Sequence, residues 1–177
     1  MRQKNHTLLW VVIIWILCLS VGCTGAEVHS KPGTTTTVIL IRHAERDEGG
    51  HLTSKGHRQA RALVDAVGDM GIAAIYSIDM ERNLDTVRPL AKKLGINITL
   101  TPDISILEGK RVVNEILTEH AGGVVLWVGN VTGNLQAVYR QLGGTGKGPL
   151  EYGDLYILTI PDKGAVGVVK TRYGSKY

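Results

Sequence analysis

What this 177-residue chain lacks narrows its chemistry first. It contains no Phe, and aromatic residues make up only 5% of it, so any core must be mostly aliphatic. Its two cysteines, Cys18 and Cys23, both fall in the first 26 residues. The remaining chain therefore has no disulfide, no thiolate nucleophile and no cysteine-based metal site. Residues 1–26 contain no Asp or Glu, while Arg2 and Lys4 supply two of the four net positive charges. The rest of the chain carries a net charge of only +4 − 2 = +2. That excess is too mild to argue for nucleic acid, and no basic stripe with interleaved aromatics is present. There is no internal repeat, no low-complexity tract and no His/Cys/Asp/Glu cluster with metal-ligand spacing, so no metal and no cofactor are expected.

Hydrophobic residues (44%) and charged residues (20%) stand in the proportions of an ordinary globular domain. The length suits one such domain once a leader is set aside. Leu8 to Leu19 is an apolar run behind Arg2 and Lys4, short for a membrane span and right for the hydrophobic part of a signal peptide. Residues 1–26 therefore read as a leader, with an uncleaved single-span anchor as the alternative. Gly22-Cys23 resembles a bacterial lipoprotein processing site that would lipidate Cys23, although Ser20 stands where an aliphatic residue is expected. An ordinary cut after Ala26 is the competing route. Either way the expectation is export in a bacterium, to the periplasm or an envelope-anchored state, with the N-terminus as a membrane tether in the lipidated case. Residues 27–36 are polar, contain Pro32 and Gly33, and read as a linker ahead of a domain spanning 37–177.

Within that domain strands and helices alternate. Val38 to Ile41 is a short, β-branched apolar run, the pattern of a strand buried on both faces. Thr53 is placed to cap a helix carrying Leu63, Val67 and Met70 on one face, with Gly71 as its stop. Further strands are expected at Ala73–Ser77, Ile96–Leu100 and Val124–Val128. Helices are expected at Met80–Leu94, within Asp103–His120 and at Asn134–Leu142, with Pro89 expected to kink or break the first of these. Leu155–Ile160 and Ala165–Thr171 flank the turn sequence Pro161-Asp162-Lys163-Gly164. The pattern predicts an α/β fold, a three-layer α/β/α sandwich whose sheet is mostly parallel with an antiparallel edge.

In such sheets ligands bind beyond the carboxyl ends of the strands. Arg42 and His43 stand at that place on the first strand. A guanidinium is a planar fork suited to phosphate, and an imidazole can act as nucleophile or proton carrier. Arg82 follows the second strand, about one turn into a helix whose N-terminus favours anions. Gly129-Asn130 follows the fourth strand, where Gly129 lets the backbone turn and Asn130 can donate or accept a hydrogen bond. His51, His57 and His120 read as solvated.

These residues resemble the histidine phosphatase superfamily, the phosphoglycerate mutase-like fold, and most of all its small exported bacterial members. Arg42-His43-Ala44-Glu45 is similar to the Arg-His-Gly/Ala-Glu signature. Leu52-Thr53, Gly56 and Gln59-Ala60 are similar to the pattern that follows it. Ile75-Tyr76-Ser77 with Asp79, Arg82, Thr86, Pro89, Leu90 and Ala91 is similar to the stretch bearing the second arginine. Glu151-Tyr152, Asp154 to Tyr156 and Arg172-Tyr173-Gly174 look like the last strands of this subgroup. The resemblance implies a phosphoric monoester hydrolase that passes through a phosphohistidine. It implies His43 as nucleophile, Arg42 and Arg82 as the phosphate clamp, and a phosphorylated small molecule or macromolecule as substrate. Glu108, in a loop beyond the third strand, is the nearest match to the carboxylate that serves as general acid in larger relatives. One position departs from the pattern. The family has Gly-His after the fourth strand, and this chain has Gly129-Asn130. Asn130 can hydrogen-bond a phosphoryl oxygen but carries neither charge nor proton. Two expectations follow, a phosphatase with weakened activity or a non-catalytic phosphate- or phosphoprotein-binding pseudophosphatase at the envelope.

Overall fold

The computed structural model describes residues 28–101 and 105–174. The expected leader and Cys23 lie outside the described residues. In chain order the elements are β1 (Thr35–Arg42), α1 (Ser54–Val67), β2 (Ile72–Ile78), α2 (Glu81–Leu94), β3 (Ile98–Thr101), α3 (Ile106–Glu119), β4 (Val124–Gly129), α4 (Leu135–Gln141), β5 (Asp154–Pro161) and β6 (Gly167–Arg172). The six strands form one sheet in the order β3-β2-β4-β1-β5-β6. The first four of these run parallel, and β5 and β6 continue the sheet antiparallel. The sandwich predicted from the alternation is the observed fold.

The apolar run of β1 is unbroken because both of its faces are covered. Ile39 and Ile41 join Leu63 and Val67 of α1 and Val87, Leu90 and Ala91 of α2 on one side. Val38 and Leu40 join Val112, Val113 and Ile116 of α3 and Leu135 and Val138 of α4 on the other. All four strand residues are fully buried. The crossovers from β1 to β2 and β2 to β3 carry α1 and α2 on one face, and the crossover back from β3 to β4 carries α3 on the opposite face, as right-handed connections between parallel strands require. Trp127 of β4 is the largest fully buried side chain and does much of the filling that Phe would do elsewhere.

Several boundaries differ from the sequence reading. Thr53 does cap α1, its hydroxyl accepting from Gly56 N, but the helix stops at Gly68 rather than Gly71. Gly71, at φ +70°, instead opens β2. Pro89 does not interrupt α2, which runs on to Gly95. Proline removes one backbone hydrogen bond, at a cost of about 3 kcal/mol in a helix interior. Burial of the stripe Val87, Leu90 and Ala91 on both sides of Pro89 offsets that cost. The stretch read as linker is partly built into the sheet. β1 begins at Thr35, Ser30 N donates to Pro161 O at 3.0 Å, and Gly33 N donates to the Asp162 carboxylate at 2.8 Å.

Candidate active site

β1 and β4 lie side by side in register, so Arg42 is paired with Gly129 and the chain leaves both strands at one place. His43 N donates to Gly129 O at 3.2 Å. Gly129 must be glycine, because a Cβ there would collide with the Trp127 ring. The segment after Arg42 is pinned by two side chains and one backbone N–H from elsewhere in the chain. Ala44 N donates to Thr86 Oγ1 at 2.9 Å, Glu45 N donates to Gln59 Oε1 at 2.8 Å, and Thr53 N donates to Glu45 O at 3.1 Å. Gly56 lets α1 approach, since a Cβ there would land on the Glu45 carbonyl oxygen. The motif residues Thr53, Gly56, Gln59 and Thr86 therefore hold the backbone that presents His43.

His43 is 3% exposed. Its Nδ1 lies 2.8 Å from Ala44 O, an atom that can only accept. The proton is accordingly on Nδ1, and Nε2 carries a free lone pair. Burial lowers the His43 pKa to about 4, and the guanidinium groups of Arg82, Arg42 and Arg46 push it the same way, against the Ala44 hydrogen bond. At neutral pH the ring is therefore unprotonated and nucleophilic.

Of the two arginines expected here, Arg42 ends β1 and Arg82 lies in the first turn of α2, just beyond β2. Arg42 Nη1 donates to Leu150 O at 2.8 Å, and its guanidinium lies 3.8 Å from the centroid of the Tyr152 ring. Tyr152 also meets the His43 ring, with centroids 5.6 Å apart. Arg172 Nη2 donates to Tyr152 O at 2.7 Å and fixes that loop. Arg82 Nη2 and Asn130 Nδ2 both donate to Met80 Sδ, at 3.1 and 3.0 Å. Asn130, 2% exposed, thus reaches the same spot as Arg82 by way of a thioether, which is a weak acceptor. The Nε atoms of Arg42 and Arg82 and Oδ1 of Asn130 are buried without partners. The Arg82 pKa is lowered by burial first, then by the neighbouring charges of Arg46 and Arg42. Among the described residues, no carboxylate forms an ion pair with Arg42, Arg46 or Arg82. Guanidinium groups with unused donors near an unprotonated imidazole can hold an anion.

Glu108 has other contacts. It sits in the first turn of α3, where its carboxylate accepts from Arg111 Nε at 3.0 Å and from Arg111 Nη2 at 2.6 Å. No described contact joins it to His43, Arg42 or Arg82. His120, read as solvated, has its Nε2 3.0 Å from the Tyr76 hydroxyl. Sequence reasoning passed over Arg46, Met80 and Tyr152 as site residues. Arg46 reads as one more charge in a polar loop, and Tyr152 lies more than a hundred residues from Arg42, so only the fold could unite them. Tyr152 and Glu45 also border a polar cavity of about 380 Å³ together with Lys55, Gln59 and Arg172.

Comparison with known proteins agrees with this geometry. Residues 38–105 match the model of the histidine phosphatase superfamily (branch 1). The chain is 35% identical over 100 residues to a probable phosphoglycerate mutase, GpmB, of Enterobacter sp. (strain 638), a match covering 48% of this chain and 46% of the relative. It is 31% identical over 91 residues to an uncharacterized protein of Mycobacterium tuberculosis, covering 44% and 45% respectively. These matches thus span less than half the length of the curated relatives. Among solved structures, the tungstate complex of the protein histidine phosphatase SixA superposes with a TM-score of 0.65 at 12% identity, covering 79% of this chain and 98% of that one. The phosphoglycerate mutase of Plasmodium falciparum gives 0.55 at 19% identity, covering 78% and 91%. At these identities the superpositions speak to the fold.

Proposed function

We propose, from the match of residues 38–105 to the histidine phosphatase superfamily and the geometry of the site, that the chain hydrolyses phosphoric monoesters through a phosphohistidine formed on His43. The observation that carries this reading is the neutral, Nδ1-protonated His43 ring beside guanidinium groups that have no carboxylate partner. Nε2 donates its lone pair to phosphorus, and the P–O bond to the leaving group breaks. The departing oxygen takes a proton from solvent water. The imidazolium so formed keeps its Nδ1–H on Ala44 O. Water then attacks phosphorus, the N–P bond returns its electron pair to Nε2, and inorganic phosphate leaves. Arg42 and Arg82 face the three equatorial oxygens, where charge spreads in the transition state. The polar cavity beside Tyr152 has room for a polar leaving group. The leader pattern read in residues 1–26 supports export in a bacterium as the setting of this activity.

Asn130 favours a second reading. Removing one donor aimed at the transition state costs about 10²–10³ in rate, and the Asn130 amide is partly engaged by Met80. On that reading the site binds phosphate or a phosphoprotein without turning it over. Glu108, held by Arg111, has no contact that equips it as the acid.

The test is phosphate release from p-nitrophenyl phosphate by wild type and His43→Ala, with acid-labile labelling of the protein scored in parallel. Turnover and labelling in wild type, both absent from His43→Ala, establish the hydrolase. Saturable phosphate binding without labelling or turnover establishes the binding module.

A further inference from the structure

Two donors of the site, from separate elements, end on one sulfur atom. Arg82 Nη2 donates to Met80 Sδ at 3.1 Å from the first turn of α2, and Asn130 Nδ2 donates to it at 3.0 Å from just beyond β4. The backbone of Met80 is fixed where α2 starts. Its N donates to Ile78 O at 2.8 Å, and its O accepts from Asn83 N at 2.9 Å and Leu84 N at 3.0 Å. The side chain packs against the core face that holds Trp127 and Leu135. Met80 is only half-buried, so it stays open to a small oxidant. A thioether is a weak acceptor with two lone pairs, and phosphate oxygens are strong enough to take these N–H groups from it. The described residues contain no cysteine, so their sulfur chemistry rests on methionine alone. Met70, the other methionine among them, packs against the opposite face of the sheet, and its sulfur accepts no described hydrogen bond.

We infer that Met80 is an oxidation site that controls the phosphoryl pocket: hydrogen peroxide converts its thioether to the sulfoxide, and the sulfoxide withdraws Arg82 and Asn130 from the substrate. This inference rests on the phosphatase reading of the same pocket. A lone pair of Sδ attacks one peroxide oxygen, the S–O bond forms and the O–O bond breaks. The departing hydroxide takes the proton of the transferred oxygen and leaves as water. Sulfur is oxidised by two electrons and the peroxide is reduced. The new oxygen is bound through a lone pair of the atom on which both donors converge. It carries the negative end of a polar S–O bond, so it accepts from a guanidinium and an amide more strongly than sulfur does. Phosphate must then displace a strong acceptor where it displaced a weak one. With a neutral amide at 130, the charge in this pair of donors comes from Arg82 alone, and the sulfoxide engages it directly.

The experiment treats the full chain with hydrogen peroxide and follows two readouts. Peptide mass spectrometry scores the added oxygen on Met80 and on Met70, and p-nitrophenyl phosphate reports kcat/KM relative to the same protein before treatment. Wild type is expected to lose at least about tenfold in step with Met80 sulfoxide, a modest share of what a transition-state donor contributes. A methionine sulfoxide reductase with a dithiol is expected to restore the rate as it removes that oxygen. This arm needs no variant to fold. Met70→Leu is expected to respond as wild type does, and Met80→Leu, whatever its starting rate, to keep that rate under peroxide. A Met80 that stays a thioether while Met70 is oxidised overturns the inference. So does a fully oxidised Met80 with the untreated rate, or a loss in Met80→Leu equal to that of wild type. Should wild type bind phosphate without turnover, titration with inorganic phosphate replaces the rate. Weaker binding on oxidation of Met80, reversed by the reductase, then supports the inference, and equal affinities overturn it. Failure of the hydrolase reading is recognised separately, by untreated wild type that neither turns over nor takes the acid-labile label.

Discussion

Acidification should separate the role of His43 from every other titrating group in the fold. Its folded pKa is about 4, against 6.5 for an unperturbed imidazole. Between those values the unfolded chain binds a proton that the folded chain refuses, so stability falls as pH falls across that window. The full contribution is present above pH 6.5 and gone below about 4. A shift of this size corresponds to about 3 kcal/mol, at roughly 1.4 kcal/mol per pKa unit. Because the ring is 3% exposed, solvent does little to reduce the figure. Urea unfolding of wild type and His43→Ala at pH 7 and pH 4 isolates it, since carboxylate titrations common to both proteins cancel in the difference. Wild type is expected to lose about 3 kcal/mol more than the variant over this range. With His43 as the proposed nucleophile, the acid limb of kcat/KM should fall near pH 4. Bound phosphate should raise the His43 pKa by offsetting the guanidinium field, which the imidazole proton resonances would follow. Equal losses in the two proteins, or His43 titrating near 6.5 in the free protein, would refute the burial and charge argument.

Gly56→Ala should destabilise by about 1–3 kcal/mol, as overpacking does, and should depress turnover by displacing the Glu45 carbonyl; thermal midpoints and kcat would report both. Thr86→Val removes the acceptor for the buried Ala44 N–H and is expected to cost about 1–3 kcal/mol, with Thr86→Ser recovering most of it in the same unfolding assay. Tyr152→Ala removes the ring over Arg42, an interaction of about 0.5–2 kcal/mol, so kcat/KM should drop several-fold while Tyr152→Phe stays close to wild type. Gly129→Ala should perturb Trp127, and a shift in tryptophan emission would show the displacement directly.

Much of this architecture was legible in the chain. Val38 to Ile41 reads as a strand covered on both faces, and Gly95, at φ +67°, stops α2 at a turn that side chains rarely adopt. Arg42, His43 and Arg82 were recognisable because strand ends gather ligands in α/β sheets. Local signals failed where tertiary packing overrides them. Pro89 reads as a breaker, yet burial on both sides of it keeps α2 whole. Thr34 to Thr36 read as tether, yet Thr36 is fully buried and its hydroxyl lies 2.6 Å from that of Ser30. Those outcomes depend on neighbours that a local pattern does not contain.

The sequence by itself determined the layering, the position of the candidate nucleophile at a strand end and the Asn at position 130, because hydrophobic period, strand-end position and residue type are properties of the chain. Only the tertiary structure decided what state the His43 ring is in. The Nδ1 proton is set by a carbonyl held in place through Thr86 and Gln59. The lowered pKa comes from burial and from arginines gathered from separate segments. The ring that stacks on Arg42 arrives from residue 152. Each of these effects depends on distance in space, and distance is what folding sets.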